Sequence, residues 1–322
     1  MSDYKNLTAT ECALRLLEIE KPLVLIHVRP DGDAVGSGAA LCEIFRQLGK
    51  DASIMASDPI PERLKFILEY TGARIAENTD GCTAVAIDVA SPTQLGSLVE
   101  SAPIPTLMID HHKIGIVFAD GYIDDKASSA AEVLFDVASV LQDMNKIELN
   151  APLAYALFAA ISSDTGCFAY SNATPKTHRL AARLMECGID TADINRRLFN
   201  SKTKEQILAE GFISSKIETS DDGRIAFATL TLNDIHTLGL KAEHFESSID
   251  VVRSLHGAQI AFIIKETEPN KYKVSLRSTG EDVASVAARL GGGGHTRAAG
   301  CSVDAPDIEK AKDIILYEVK NI

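Results

Sequence analysis

Through the first third of the chain, short apolar runs alternate with helical stretches. That alternation limits the fold more than any other feature. Residues 22–28 read as a buried strand and residues 34–48 as a helix stopped by Gly49. A strand at 51–56, a helix at 61–70, and strands at 83–87 (TAVAI) and 105–109 (PTLMI) follow. Runs that are apolar throughout suit strands covered on both faces. The expectation is therefore an α/β domain with a mostly parallel sheet flanked by helices. A helix at 10–20 with Thr10 as its N-cap comes first, and helices at 127–143, 150–163 and 174–187 come after. The last has Thr174 or Asn172 as cap and Pro175 in its first turn.

The pattern changes beyond residue 215. Longer strands at 224–231, 258–266 and 272–277, turns at 221–223 and 268–270, and helices at 242–253, 282–290 and 306–320 predict a smaller C-terminal α+β domain. The expected division is 1–190 for the first domain, 191–215 for a charged helical linker and 216–322 for the second. A length of 322 residues agrees with two domains.

The strand ends carry the chemistry. His27, Asp31 and Asp33 follow the first strand, Asp88 the third, and Asp110, His111 and His112 the fourth. Open parallel sheets bind ligands beyond those ends. Asp164, expected in the loop SSDTGCFAYSN, joins them if that loop folds back over the same edge. Each residue alone also fits a humbler role, an Asp as a turn or helix cap and a His as a packed side chain. Held together without countercharge, the carboxylates would repel and protonate, and divalent cations remove that conflict. Oxygen and imidazole donors without thiolate favour Mn²⁺ or Mg²⁺. The donor count suits two cations, which can hold a bridging water and clamp a phosphoryl group. Gly32 is expected to let the turn aim Asp31 and Asp33 at neighbouring ions.

Charge limits the substrate. With 45 acidic and 32 basic residues the net charge is −13, so no grip on long duplex DNA is expected. An anionic substrate must be small, or be met by a local patch or by cations. No run approaches the length of a membrane span and the N-terminus has no apolar signal core, so a cytoplasmic protein without membrane contact is expected. The six cysteines lack any CxxC pair and are expected to be buried free thiols, with Cys167 packed.

Five segments resemble the motifs of the DHH phosphoesterase superfamily: HVRPDGDAVGS at 27–37, Asp88, Asp110-His111-His112, Ser163-Asp164-Thr165-Gly166 and GGGGHTRAAG at 291–300. Their order agrees across nearly the full chain. Length and layout look most like the branch of bifunctional oligoribonucleases that also act on 3′-phosphoadenosine 5′-phosphate (pAp). The resemblance implies one cation held by His27, Asp31 and Asp88, and another held by Asp33, Asp88, His111 and Asp164. It implies a catalytic His112 touching the scissile phosphate as a cationic donor or acid, with Asp110 orienting the adjacent imidazoles. Arg277, Gly292, Gly293, Gly294 and His295 would bind substrate, the glycines through bare backbone N–H groups. The plain alternative for the glycine run is a flexible loop; it is no P-loop, since no Lys follows.

The implied substrates are short RNA oligonucleotides, cut to mononucleotides, and pAp, converted to AMP. Two divalent cations, Mn²⁺ or else Mg²⁺, are the implied cofactors, and a homodimer is the candidate assembly. Two departures stand out. Many relatives have an Arg after the second-motif Asp, where this chain has SPTQLG with Gln94. Many have another after the Phe of the fourth motif, where Ala169 follows Phe168. Cyclic dinucleotides with their linear products, and inorganic polyphosphate, are alternative substrates. A nucleotide-binding regulator that has lost catalysis is the alternative outside enzymology, motivated by those two departures.

Overall fold

Helix α1 (Ala9–Glu18) begins where Thr8 and Glu11 satisfy each other's backbone N–H groups, a capping box that makes Thr8 the cap in place of Thr10. In this computed structural model, which describes residues 4–113 and 115–322, the chain divides into two units, one ending at Ser201 and one starting at Lys202.

The first unit holds strands β1 (Pro22–Leu25), β2 (Ser53–Met55), β3 (Thr83–Ile87), β4 (Leu107–Asp110) and β5 (Asp120–Ile123), all parallel, in the order β2-β1-β3-β4-β5. Val24, Ile26, Val85 and Ile87 enter one core, and Leu23, Leu25, Ala84 and Ala86 the other. Burial on both faces explains why these runs are apolar throughout. The edge strand β5 was not expected, because DGYI is short, half-buried and carries no apolar run. The connections turn opposite ways from β1 and β3, which opens a crevice at the carboxyl ends between those two strands.

The flanking helices are α2 (Gly32–Gln47), α3 (Lys65–Thr71), α4 (Leu98–Ser101), α5 (Ala130–Asp143), α6 (Ala151–Asp164), α7 (Pro175–Met185) and α8 (Thr191–Phe199). Helices α2 and α6 cross closely. A Cβ on Gly36 would lie 2.7 Å from the Ala156 carbonyl oxygen, and one on Gly32 would lie 2.2 Å from Ser163 Oγ. Gly32 therefore serves a helix crossing rather than the aiming of a turn. Asp164 is the last residue of α6 rather than part of a loop, and the crossing carries it towards the start of α2.

The stretch expected as a linker divides between the units. Helix α8 buries Ile194 and Leu198 in the first unit's core, and helix α9 (Lys204–Ser215) buries Ala209 and Ile213 in the second's. The rest of the second unit is β6 (Glu218–Thr219), β7 (Ile225–Leu230), α10 (Leu232–Leu238), a 3₁₀ helix (Ala242–Ser248), α11 (Ile249–Arg253), β8 (Ile260–Glu268), β9 (Lys271–Ser278), α12 (Val283–Arg289), β10 (Gly293–His295), β11 (Ala298–Asp304) and α13 (Ile308–Val319). Its sheet runs β10-β11-β9-β8-β7-β6 and is antiparallel except for the β7–β8 pair. One face packs Phe262, Val274 and Leu276 against α12 and α13. On the other face, Ala228 and Ile263 pack against α9 and α11. Helix α10 was not expected, having no buried residue to give it a period, nor was β11; part of the glycine run forms β10.

Cys12, Cys42 and Cys301 are buried free thiols, but Cys82 and Cys187 are half-buried and Cys167 is exposed. It lies in a tight turn after α6, where it and Phe168 both have positive φ, which turns the thiol outward. Among the described residues no helix is long and apolar enough to cross a membrane.

Candidate metal centre

Asp88 follows β3 in a left-handed conformation (φ 58°), which carries its carboxylate back over the strand ends. The side chain is almost fully buried, and its Oδ1 has no hydrogen-bond partner among the described residues. An orphaned buried carboxylate oxygen is costly unless something cationic faces it. Three imidazoles surround it. His27 Nε2 lies 3.5 Å from Asp88 Oδ2, while His111 Nε2 and His112 Nδ1 lie 3.6 and 3.7 Å from Oδ1.

His27 comes from the turn after β1. Its Nδ1 donates to the Val28 carbonyl at 2.7 Å, so Nε2 is the ring atom directed at the carboxylates, 3.7 Å from Asp31 Oδ1. Asp31 is the N-cap of α2, its Oδ1 accepting the N–H groups of Asp33 and Ala34 at 3.0 Å. The cap and the site thus coincide in one residue. Asp33, in the first turn of α2, is buried, and its oxygens accept the N–H groups of Ala130 and Ala131 at the start of α5, at 2.7 and 3.2 Å. His111 Nε2 stands 3.7 Å from Asp33 Oδ2. His112 Nδ1 donates to Asp110 Oδ1 at 2.7 Å. Asp110 thus touches the second of the adjacent imidazoles, whereas His111 turns its Nδ1 to the Ala127 carbonyl.

Three donor sets converge within one small volume: His27, Asp31 and Asp88; Asp33, His111 and Asp164; and Asp88, His111 and His112. Their electrostatics are those of a site lacking cations. Burial, then the charges of Asp88, Asp164 and Asp31, push Asp33 well above the usual carboxylate range. Burial and the charge of Asp88, against the relief given by His111, raise Asp164 to about 7. Burial opposes charge on His27 and His112, but the facing carboxylates prevail and raise them to about 11 and about 9. Divalent cations would relieve the carboxylate repulsion and take up the Asp88 oxygen, so the donor set fits a metal centre.

Two contributors were missed in the sequence. Asn172 Nδ2 donates to both the carbonyl and Oδ2 of Asp164, at 3.1 and 3.2 Å, and to the Ser128 carbonyl at 2.9 Å. Only its eight-residue spacing from Asp164 hinted at this; its other reading, a helix cap, falls to Thr174. Gln94, flagged as a departure, is a staple. Its side chain accepts the Ala90 N–H at 2.7 Å and its carbonyl accepts the Val28 N–H at 2.7 Å, joining the loop after β3 to the turn after β1.

In the second unit, Arg277 lies on β9, directly opposite Ala298, which in turn pairs with His295. Gly292 to Gly294 are exposed. Gly292 and Gly294 lie against the backbone of β11, where a Cβ would come within 2.2 and 2.5 Å of the carbonyl oxygens of Gly300 and Ala298. The side chain of His295 lies outside the described residues.

Comparison with known proteins agrees with this geometry. The chain matches the DHH family, N-terminal domain, over residues 21–161 and the DHHA1 domain over residues 224–321. A bifunctional oligoribonuclease and PAP phosphatase NrnA from Thermus thermophilus is 31% identical over 95% of this chain and 91% of its own length. A Bacillus subtilis protein of the same name is 26% identical over 86% of this chain and 87% of its own. An exopolyphosphatase-related protein from Bacteroides fragilis shares the fold, with a TM-score of 0.87 at 20% identity over 97% of this chain and 96% of its own.

Proposed function

The chain belongs to the DHH family, and from that premise we propose that it is a metal-dependent phosphoesterase that cuts short oligoribonucleotides to mononucleotides and converts pAp to AMP. The observation that carries the reading is the convergence of three strand ends and the end of α6 on Asp88, whose buried oxygen has no hydrogen-bond partner among the described residues. The names of the Thermus and Bacillus relatives support the substrate classes.

In this reading His27, Asp31 and Asp88 hold one cation, and Asp33, Asp88, His111 and Asp164 hold the other, with Mn²⁺ as the ion and Mg²⁺ as the alternative. Such a pair, when bound, would supply an activated water and neutralise charge on the phosphoryl oxygens. The protein's own part is positional. The N–H groups of α5 and the amide of Asn172 fix the directions of Asp33 and Asp164. His112, aligned by Asp110, presents a proton to a phosphoryl or leaving-group oxygen. In the second unit Arg277 would fork onto a substrate phosphate, and Gly292, Gly293, Gly294 and His295 would complete its cradle. Selection by a few local groups lets an acidic chain choose short anions without a basic groove.

The test is turnover by the purified protein with Mn²⁺ on pAp, on di- to pentanucleotides, on a cyclic dinucleotide and on polyphosphate. AMP and mononucleotides are the expected products, lost on chelation. A cyclic dinucleotide opened while RNA and pAp stay intact would replace this reading with that of a cyclic-dinucleotide phosphodiesterase. Tight nucleotide binding without hydrolysis of any substrate would make the protein a regulator.

A further inference from the structure

On strand β9 the side chains of Tyr272, Val274 and Leu276 enter the core, and those of Lys271, Lys273, Ser275 and Arg277 lie on the other face. Register places their neighbours. Lys273 is opposite Lys265 of β8 on one side and Ser302 of β11 on the other; Ser275 is opposite Gly300, which pairs with Gly293; Arg277 is opposite Ala298. Helices α9 and α11 pack over β7 and β8 on this face and α11 also reaches β9, while Lys273 and Ser302 are exposed. The result is a shelf with a nearly bare floor. A Cβ on Gly293 would meet nothing within 4 Å.

The cations at its far end are unusual for a chain with a net charge of −13. Lys265 and Lys273 face each other directly across two strands, an arrangement that like charges make unfavourable. Among the described residues no carboxylate lies within ion-pair distance of either ammonium. Lys265 donates only to the Phe245 carbonyl. Lys271, two residues along the same face, does have its acid, Glu268 at 2.8 Å, with Asp304 opposite it. The cations without an ion-pair partner among the described residues are therefore Lys265 and Lys273, and the pattern stops at Lys271. Burial, then the charge of Lys273, lowers Lys265 to about 8 against a smaller opposing effect of Glu246, so the pair is held at a cost that a bound anion would offset.

We propose that Lys265, Lys273 and Ser302 form a second anion seat, which takes an internucleotide phosphate of oligonucleotides longer than a dinucleotide. The seat lies four residues from Arg277, about 13 Å along an extended strand, a span greater than one nucleotide. Backbone and glycine between the two positions let a sugar and base lie close to the sheet. Ser302 supplies a hydroxyl donor, and two ammoniums supply charge without a planar fork, as suits a phosphodiester held in more than one orientation. The inference rests on the phosphoesterase reading for the identity of the ligand, but on the second unit alone for the seat.

The experiment measures binding apart from turnover. Fluorescently labelled oligoadenylates of two to five nucleotides are titrated with the full-length protein in chelator, at two salt concentrations. The expected affinity gain from dinucleotide to pentanucleotide is about tenfold, and Lys273→Glu abolishes it while Lys273→Arg keeps it. The slope of log affinity against log salt for the pentanucleotide should fall by about 0.7 in Lys273→Glu, as for one lost phosphate contact on a single strand. Lys265→Met, which removes the ammonium at similar volume, should act in the same direction. An unchanged length dependence in Lys273→Glu, or none in the parent, overturns the seat. A parent that shows the gain but hydrolyses neither RNA nor pAp with Mn²⁺ leaves the seat standing and overturns the proposed function instead.

Discussion

In the first unit the sheet is covered on both faces and opens at the carboxyl ends of its strands; in the second unit one face is left exposed at Lys273 of β9 and Ser302 of β11. The two openings collect opposite chemistry. The strand ends hold buried and half-buried donors whose directions are set by hydrogen bonds: Asp33 by α5, Asp164 by Asn172, His112 by Asp110. The other sheet's open face holds cations placed by the alternation of β8 and β9, with Lys273 exposed and Lys265 and Arg277 half-buried. Donors that constrain one another should fail together and affect the chemical step. Cations that do not share hydrogen bonds should fail one at a time and affect binding.

Predictions that could break this contrast run from large effects to small. Asp88→Asn keeps a residue that tolerates positive φ but removes the charge facing three imidazoles. Turnover of pAp and short RNA with Mn²⁺ should fall by at least about 10³-fold, with near-normal thermal unfolding and reduced metal content by elemental analysis. Retention of both activity and metal would remove the basis for a centre at the strand ends. Asn172→Ala frees Asp164 and should weaken metal affinity by about 10–100-fold, read as a raised Mn²⁺ requirement that saturating metal largely restores. A loss that no metal concentration repairs would mean that Asn172 does more than hold a carboxylate.

On the other side, Arg277→Ala should raise KM for pAp by about tenfold, the loss of one charge-assisted contact, with kcat little changed. An equal fall in kcat would show that the two regions are not separable in this way. The smallest effect is expected from Gln94→Ala. It leaves the Ala90 N–H without its acceptor and should cost about 1 kcal/mol, seen as a lower urea midpoint, with a modest loss of activity as the two loops separate. Gln94→Arg should lose the same staple rather than improve the enzyme, because in this chain the position already has a structural partner.

Much of the first unit is legible in the chain. Strands buried on both faces must be apolar throughout, and a parallel sheet puts its ligands beyond their carboxyl ends, so Asp88 and the residues from Asp110 to His112 could be placed from pattern alone. Elements with weak burial were harder. Strand β5, helix α10 and the glycine-bearing β10 have little or no apolar period, because each is short, at an edge or exposed. Asp164 was expected in a loop because SSDTG reads as a helix end. The helix reaches one residue further, and its close crossing with α2 places the carboxylate.

What the sequence determined by itself was an inventory and its order: which donors exist, which strand each follows, and that carboxylates so gathered call for cations. Local period and composition carry that information because burial acts on each strand separately. What only the tertiary structure decided was partnership. Asn172 reaches Asp164, Gln94 joins two loops, Asp110 takes His112 and leaves His111 to a backbone carbonyl, and Lys265 meets Lys273 across a register that neither strand encodes alone. A hydrogen bond or a cross-strand pair depends on ångström distances between segments far apart in the chain, and packing sets those distances only once the whole unit has folded.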